Sequence, residues 1–107
     1  EKTRIDVMVT VFDQSMTLRG IDLAVQFRKK GLNCFLYPED KQMPKKLSYA
    51  DKKNIRFVVI LGENEIAENK LMLKDMTTGE QNMLTFDEAI NKISEILIIK
   101  PPINKGD

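Results

Sequence analysis

Charged side chains carry whatever chemistry this sequence can perform, because it contains no histidine and a single cysteine, Cys34. The lack of histidine excludes a histidine general base and a Cys/His zinc site. The sequence also lacks the G-x-G-x-x-G and P-loop patterns that hold nucleotide phosphates. We therefore expect no catalytic residue in this chain, and the candidates that remain are groups that bind through hydrogen bonds, charge or stacking.

A basic segment lies between residues 41 and 56. It holds six basic residues against one acid, Asp51, in a chain whose net charge is only +1. Such a cluster can bind nucleic-acid phosphates, or it can be an ordinary solvated face. Because the chain as a whole is nearly neutral, an RNA contact would have to rest on this local charge and on specific hydrogen bonds. The six residues are Lys41, Lys45, Lys46, Lys52, Lys53 and Arg56.

Acidic side chains follow two of the predicted strands. Glu63 comes after the apolar run of residues 57 to 61, and Glu39 and Asp40 follow the run from Leu32 to Tyr37. In an open α/β sheet, ligands bind beyond the carboxyl ends of the strands. A carboxylate there accepts two hydrogen bonds, so Glu63 could bind the adjacent donors on the Watson–Crick edge of an unpaired guanine. Alternatively, Glu63 caps the connector or stays solvated, and Glu39 and Asp40 only terminate their strand.

Tyr49 and two further lysines complete the candidates. The ring of Tyr49 could stack on an unpaired base or pack against the edge of the sheet. Lys70 and Lys74 belong to a predicted hairpin and could contact phosphate or a base carbonyl; lysines on edge strands also discourage aggregation, which suits Lys74 better. We expect no metal site, because the glutamates between residues 63 and 68 do not place three carboxylates on one face.

The strands that must position these residues follow from apolar patterns. The segments from Ile5 to Phe12 and from Arg56 to Leu61 are predicted to be central strands of a parallel sheet, because they are apolar on both faces from Val7 and from Phe57 onward. Leu32 to Tyr37 predicts a third parallel strand. Residues 71 to 84 predict a hairpin whose turn contains Gly79.

Helices are predicted from spacing and from end signals. A first helix ends at Gly31, and a second covers residues 43 to 50. The last helix begins with the capping box of Thr85 and Glu88 and should end before Pro101. The acidic connector before the hairpin has room for one helical turn. We therefore predict an α/β fold, a mixed sheet of about five strands with three helices packed on it.

Five segments of this sequence also occur, in the same order, in a known family. Over nearly its whole length the chain resembles the C-terminal anticodon-binding domain of histidyl-tRNA synthetase, a class II aminoacyl-tRNA synthetase. The hairpin residues KDM-TTGEQ favour this enzyme over the related threonine, proline and glycine enzymes. The five segments are GLNCFLYPE (31–39), KKLSYADKKNI (45–55), FVVILGE (57–63), NEIAENKLMLKDM (64–76) and TGEQ (78–81).

The resemblance implies that the chain has the fold of an anticodon-binding domain and binds the anticodon loop of tRNA(His), whose anticodon is expected to be GUG. It implies a parent enzyme that joins histidine to tRNA using ATP, with Mg²⁺, in a separate catalytic domain through which the enzyme dimerises. This chain itself would need no cofactor. The implied RNA-binding residues are Glu39, Lys45, Tyr49, Lys52, Lys53, Glu63 and Lys70.

The ends and the composition predict the setting of the chain. It begins without Met and ends in KPPINKGD, which suggests that residues 1–107 are a single domain taken from a longer protein, although a processed or tagged chain would look the same. There is no signal peptide and no apolar run of about 18 residues. We expect a cytoplasmic protein with neither a membrane nor DNA as a partner.

A second interpretation is a protein-interaction or regulatory module derived from such a domain. The near-neutral charge and the apolar hairpin strand LMLKDM (71–76) suit a docking surface as well as an RNA surface. Class II catalytic motifs upstream of the chain would decide for the synthetase.

Overall fold

Two adjacent parallel strands, β1 (Val7–Val11) and β3 (Phe57–Leu61), organise the sheet. In the computed structural model, which describes residues 4–97, they pair over their full length. Every residue of β3 is buried, and so are the first four residues of β1. Strands buried on both faces require a layer of helices on each side of the sheet.

Three further strands extend this pair on its two sides. β2 (Cys34–Leu36) pairs in parallel with β1. On the other side, β4 (Leu71–Asp75) runs antiparallel to β3, and β5 (Gln81–Leu84) runs antiparallel to β4. The strand order is therefore β2-β1-β3-β4-β5, and the predicted mixed sheet of five strands is confirmed.

The long helices divide between the two faces. α1 (Thr17–Lys29) and α4 (Phe86–Leu97) pack on one face, and α2 (Met43–Lys52) packs on the other. Alternate residues of β1 serve the two layers, with Val9 in the core beneath α1 and α4, and Met8 in the core beneath α2. The two layers arise because right-handed crossovers that lead to opposite sides of β1 must lie on opposite faces.

A short helix, α3 (Glu63–Ala67), fills the connector between β3 and β4. Residues 4–97 thus contain four α-helices where three were predicted, because the acidic connector forms the helical turn for which the sequence has room. A 3₁₀ turn, Gln14–Met16, leads into α1. No helix in the described part of the chain is both long enough and apolar enough to cross a membrane.

Local end signals act as the sequence indicates. The Thr85 hydroxyl accepts a hydrogen bond from the Glu88 amide at 3.2 Å, and the Glu88 carboxylate accepts one from the Thr85 amide at 2.9 Å, so the capping box is confirmed. Gly31 and Gly79 have φ angles of 91° and 82°, which glycine adopts without strain at a helix end and in a tight turn. The predicted end of α4 before Pro101 lies outside the described residues.

An ion pair between a half-buried arginine and a buried aspartate ties the hairpin to β3. Asp75 is 3% exposed and accepts two hydrogen bonds from the Arg56 guanidinium, each 3.0 Å long. It also accepts a hydrogen bond from the Thr77 amide at 2.9 Å. The Arg56 guanidinium is the main reason that the pKa of Asp75 lies below its ordinary value of 3.8. Arg56, which the sequence placed in the basic segment, is therefore engaged inside the protein.

We expect Asp75→Asn to lower the free energy of unfolding by about 1.5–3 kcal/mol at pH 7, because it removes a charged acceptor of two hydrogen bonds. Urea unfolding of both proteins measures this difference. Asp51→Asn is the matched control, since Asp51 is exposed. Equal effects of the two substitutions would contradict a stabilising pair.

The same pair predicts a pH dependence. Because the pKa of Asp75 is lower in the folded state, the unfolded state takes up the proton first as the pH falls, and the stabilisation is present above the ordinary value of 3.8 and lost below it. The stability difference between the natural protein and Asp75→Asn should shrink when urea unfolding is repeated below that pH. A difference that stays constant would show that ionisation of Asp75 does not contribute.

Candidate nucleic-acid interface

The carboxyl ends of the parallel strands β1, β2 and β3 meet at one edge of the sheet, called here the carboxyl edge. Lys70 precedes β4 and Thr85 follows β5, so the antiparallel strands bring these two residues to the same edge. α1 leads from β1 to β2, whereas α2 leads from β2 to β3 on the other side of β1. An open α/β sheet has its ligand crevice at such a change of direction, here between β1 and β3.

This β1/β3 crevice has a volume of about 440 Å³. Phe12, Asp13 and Met16 line it from the side of β1, and residues 62–65 line it from the side of β3. The Phe12 amide donates to the Leu61 carbonyl at 3.0 Å, which continues the strand pairing up to the rim. Glu63 thus lies in a crevice at the carboxyl end of β3, as the sequence indicates, and its contact with RNA stays a prediction.

Three carboxylates surround the β1/β3 crevice, and two of them are engaged within the protein. Asp13 accepts a hydrogen bond from the Ser15 amide at 2.8 Å, which lowers the pKa of this carboxyl. Glu65 accepts a hydrogen bond from the Gly62 amide at 2.7 Å, so Glu65 rather than Glu63 caps α3. The Glu63 side chain is exposed and makes no hydrogen bond or ion pair with another described residue. Both of its oxygens therefore remain available to a ligand.

Tyr49 packs inside the protein, which is one of the two alternatives that the sequence leaves open. Its ring stacks on Phe35 with the centroids 5.7 Å apart, and it meets the edge of Tyr37 at 5.3 Å. The Lys53 ammonium lies 5.8 Å from the centre of the Tyr49 ring. The half-buried ring belongs to the core beneath α2, because residue 49 lies on the flank of the helix that faces β2.

The basic segment does not form one surface. Lys45 is exposed in the first turn of α2, at the carboxyl edge, but Lys46 is only 3% exposed. Its ammonium donates a hydrogen bond to the Val11 carbonyl and lies 5.9 Å from the centre of the Tyr37 ring. Lys46 thus joins α2 to the end of β1, so it fits neither of the two alternatives for the basic segment, a phosphate-facing cluster or a solvated face.

Lys52 and Lys53 lie at the opposite end of α2. The helix runs antiparallel to the strands, so its last turn is near the start of β3. At 1.5 Å per residue, Lys52 is about 10 Å along the helix axis from Lys45. Lys52 and Lys53 are both exposed, but the structure does not bring them together with Glu63 at the carboxyl edge.

Glu39 and Lys70 lie at the carboxyl edge on either side of the β1/β3 crevice. Glu39 is exposed after β2, lines a separate cavity of about 220 Å³ between the ends of β1 and β2, and pairs with Lys41 at 3.7 Å. Lys70 is half-buried, lies 3.9 Å from Glu68, and lines a third cavity together with Arg19. The edge therefore carries charges of both signs in three adjacent depressions.

Cys34 offers no reactive group. Burial raises the pKa of its thiol to about 12, so it stays protonated at neutral pH. It lies in β2 and packs against the core beneath α1, as expected of a small apolar residue. Among residues 4–97, no three histidine, cysteine or acidic side chains are grouped so that they could hold a metal ion.

With this geometry in place, comparison with known proteins gives the family. The model of the family described as anticodon binding domain matches residues 6–96. The chain belongs to this family.

Its relatives are named histidine–tRNA ligases. That of Cytophaga hutchinsonii is 34% identical over 87 residues, which cover 81% of this chain and 19% of the relative. That of Phocaeicola vulgatus is 44% identical over 70 residues, which cover 65% of this chain and 15% of the relative. The crystal structure of histidyl-tRNA synthetase from Nostoc sp. PCC 7120 superimposes with a TM-score of 0.84 at 33% identity, over 89% of this chain and 23% of that chain. The chain thus spans less than a quarter of the length of each relative.

Sequence reasoning missed one prominent residue of this anticodon binding domain, Phe12. Its side chain is 59% exposed at the rim of the β1/β3 crevice, although its position at the end of an apolar run suggested a core residue. The signal was available, because the rule that draws attention to Glu63 after β3 applies equally to the residue after β1.

The environment of Lys46 predicts a stability difference between two neighbouring lysines. Lys46→Ala removes a buried hydrogen bond and a packed aliphatic stem, and should lower the free energy of unfolding by about 1–3 kcal/mol. Lys45→Ala, in the same turn but exposed, should change it by no more than about 0.5 kcal/mol. Thermal or urea unfolding measures both, and equal losses would contradict the role given to Lys46.

Proposed function

We propose that this chain binds the anticodon loop of tRNA(His) as one domain of a histidine–tRNA ligase. The observation that carries the proposal is the position of Glu63, an exposed carboxylate that has no partner among residues 4–97 and lies in a crevice at the carboxyl edge. The setting is a member of the anticodon binding domain family whose matched relatives are named histidine–tRNA ligases.

The recognition we propose is a hydrogen-bonded reading of guanine. An unpaired guanine presents N1–H and an amino group side by side, and a carboxylate accepts both. The expected anticodon, GUG, offers two such bases. Lys45 and Lys70 lie at the same edge and would contact the backbone of the loop, which positions the bases without reading them.

The remainder of the reaction belongs to the parent enzyme in this proposal. A separate catalytic domain would bind ATP and Mg²⁺, join histidine to the tRNA and carry most of the dimer contact, and the enzyme would work in the cytoplasm. The contribution of this chain would be selectivity, because binding of the correct anticodon raises the share of the correct tRNA that reaches the catalytic domain.

An NMR titration of the ¹⁵N-labelled chain with an RNA hairpin that carries a GUG loop tests the proposal. We expect chemical-shift changes to cluster at residues 62–65 and around Lys70. A second hairpin, with inosine in place of both guanines, lacks the amino donors and should bind roughly fivefold more weakly or worse, the cost of losing part of a bidentate base contact. No shift change with either RNA, even at low salt, would contradict anticodon binding by this chain.

Substitution of the carboxylate isolates its role. Glu63→Gln keeps the shape but presents one acceptor and one donor to the base, so GUG binding should weaken by about tenfold and the preference over inosine should vanish. Glu95→Gln is the matched control, since Glu95 is exposed near the far end of α4. If Glu63→Gln binds both hairpins as the natural chain does, another group reads guanine.

A protein-interaction module is the second candidate function, and one observation favours it. Leu18, Ile21 and Val25 follow one another at helical spacing on α1 and are 80%, 43% and 38% exposed. The hairpin strand that the sequence suggested as a docking surface is a poor candidate, because Leu71 and Leu73 are buried in the core. If RNA leaves the NMR spectra unaltered, protein interaction becomes the preferred function in place of anticodon binding.

A further inference from the structure

Phe12 stands apart from the other aromatic side chains of the protein. All seven aromatic residues, five Phe and two Tyr, lie within the described part of the chain. Six of them are buried or half-buried, whereas Phe12 is 59% exposed. Since an exposed aromatic ring is a common platform for an unpaired base, its place in the fold decides whether it has a role.

The ring of Phe12 is held in place although it is exposed. The Phe12 amide donates to the Leu61 carbonyl at 3.0 Å, so its backbone continues the pairing of β1 with β3. One edge of the ring lies over Gly62: a Cβ atom at Gly62 would come within 3.2 Å of Cδ2 and 3.6 Å of Cε2 of Phe12. Glycine therefore lets the ring settle against the end of β3, while more than half of the side chain remains open to solvent.

The polar groups beside the ring suit the edge of a base. Glu63 and Asn64 are exposed in the same β1/β3 crevice, whereas Asp13 and Glu65 are occupied by backbone amides. A base that stacks on an aromatic face has its plane fixed, and its Watson–Crick edge then points sideways to hydrogen-bonding groups. A carboxylate with two free oxygens next to the platform can accept from that edge.

We propose that Phe12 is the stacking platform for the anticodon guanine that Glu63 reads. This inference rests on the proposed function and deepens it by giving the base its place in the β1/β3 crevice. It moves the stacking role away from Tyr49, whose ring packs against Phe35 and Tyr37.

The test distinguishes stacking on the aromatic face of Phe12 from nonspecific apolar contact with a side chain of similar size. Phe12→Leu keeps an apolar side chain of similar size but has no π face, so it should weaken binding of the GUG hairpin by roughly fivefold to a hundredfold, the usual effect of removing one stacking aromatic. Phe12→Trp keeps the face and should bind at least as well as the natural chain. Since the protein has no other tryptophan, quenching of the new indole fluorescence by the GUG hairpin would report a base stacked on residue 12.

An abasic nucleotide gives the second arm. Replacement of one anticodon guanine at a time by an abasic unit should weaken binding to the natural chain, and at one of the two positions Phe12→Leu should cause no further loss. Leu18→Ala is the matched control, because it removes an exposed apolar residue from α1 and should leave RNA binding unchanged. Thermal unfolding checks that every variant is folded, and exposure of Phe12 predicts little change in stability.

The outcomes distinguish this inference from the function on which it rests. If the natural chain fails to bind the GUG hairpin, both are overturned. If the natural chain binds and Phe12→Leu binds equally well, or if the indole of Phe12→Trp is not quenched, the anticodon function stands and the assignment of Phe12 is overturned. A loss of binding by Leu18→Ala as large as that of Phe12→Leu would also overturn it, because apolar contact with α1 would then explain both.

Discussion

The burial of β1 and β3 on both faces is the constraint on which the rest of the structure depends. Neither strand can be solvated on either side, so α1 and α4 must cover one face and α2 the other. To deliver helices to both faces, the chain leaves β1 in one direction and returns to β3 on its opposite side. The β1/β3 crevice is the geometric result of that reversal. It follows from the order of the strands and does not depend on which residues line it.

The polar groups of the carboxyl edge then fall into two sets. Lys46, Asp13 and Glu65 satisfy backbone groups at the ends of β1, the 3₁₀ turn and α3, and these contacts fix the shape of the crevice. The side chains of Glu63 and Phe12 make no such contact, although the Phe12 amide is bonded to Leu61 and Glu63 begins α3. A binding site needs both sets, because side chains that are free to contact a ligand are useful only where others have already set the geometry.

Much of this could be predicted from the sequence, and the failures have physical causes. Strands, helices and the capping box follow from local patterns, and Glu63 follows from its place after a strand. The burial of Lys46 could also have been predicted, since this residue lies three residues after Met43 and four before Ala50, on the inward face of α2. The sequence could not decide whether Tyr49 packs inside the protein, because its partners Phe35 and Tyr37 lie in β2 and directly after it, and such contacts depend on how distant segments meet.

The same division of charges bears on how such a domain can be selective. The net charge is +1, Arg56 is paired with Asp75, and Lys46 is buried, so the free lysines at the carboxyl edge are few. In the proposed function, attraction to phosphate, which is the same for every RNA, would therefore be weak, and affinity would have to come from contacts with bases. Compared with a more basic domain, a nearly neutral one would bind every RNA loop more weakly but would discriminate equally well between loop sequences. This is the useful balance when the domain only has to favour one anticodon.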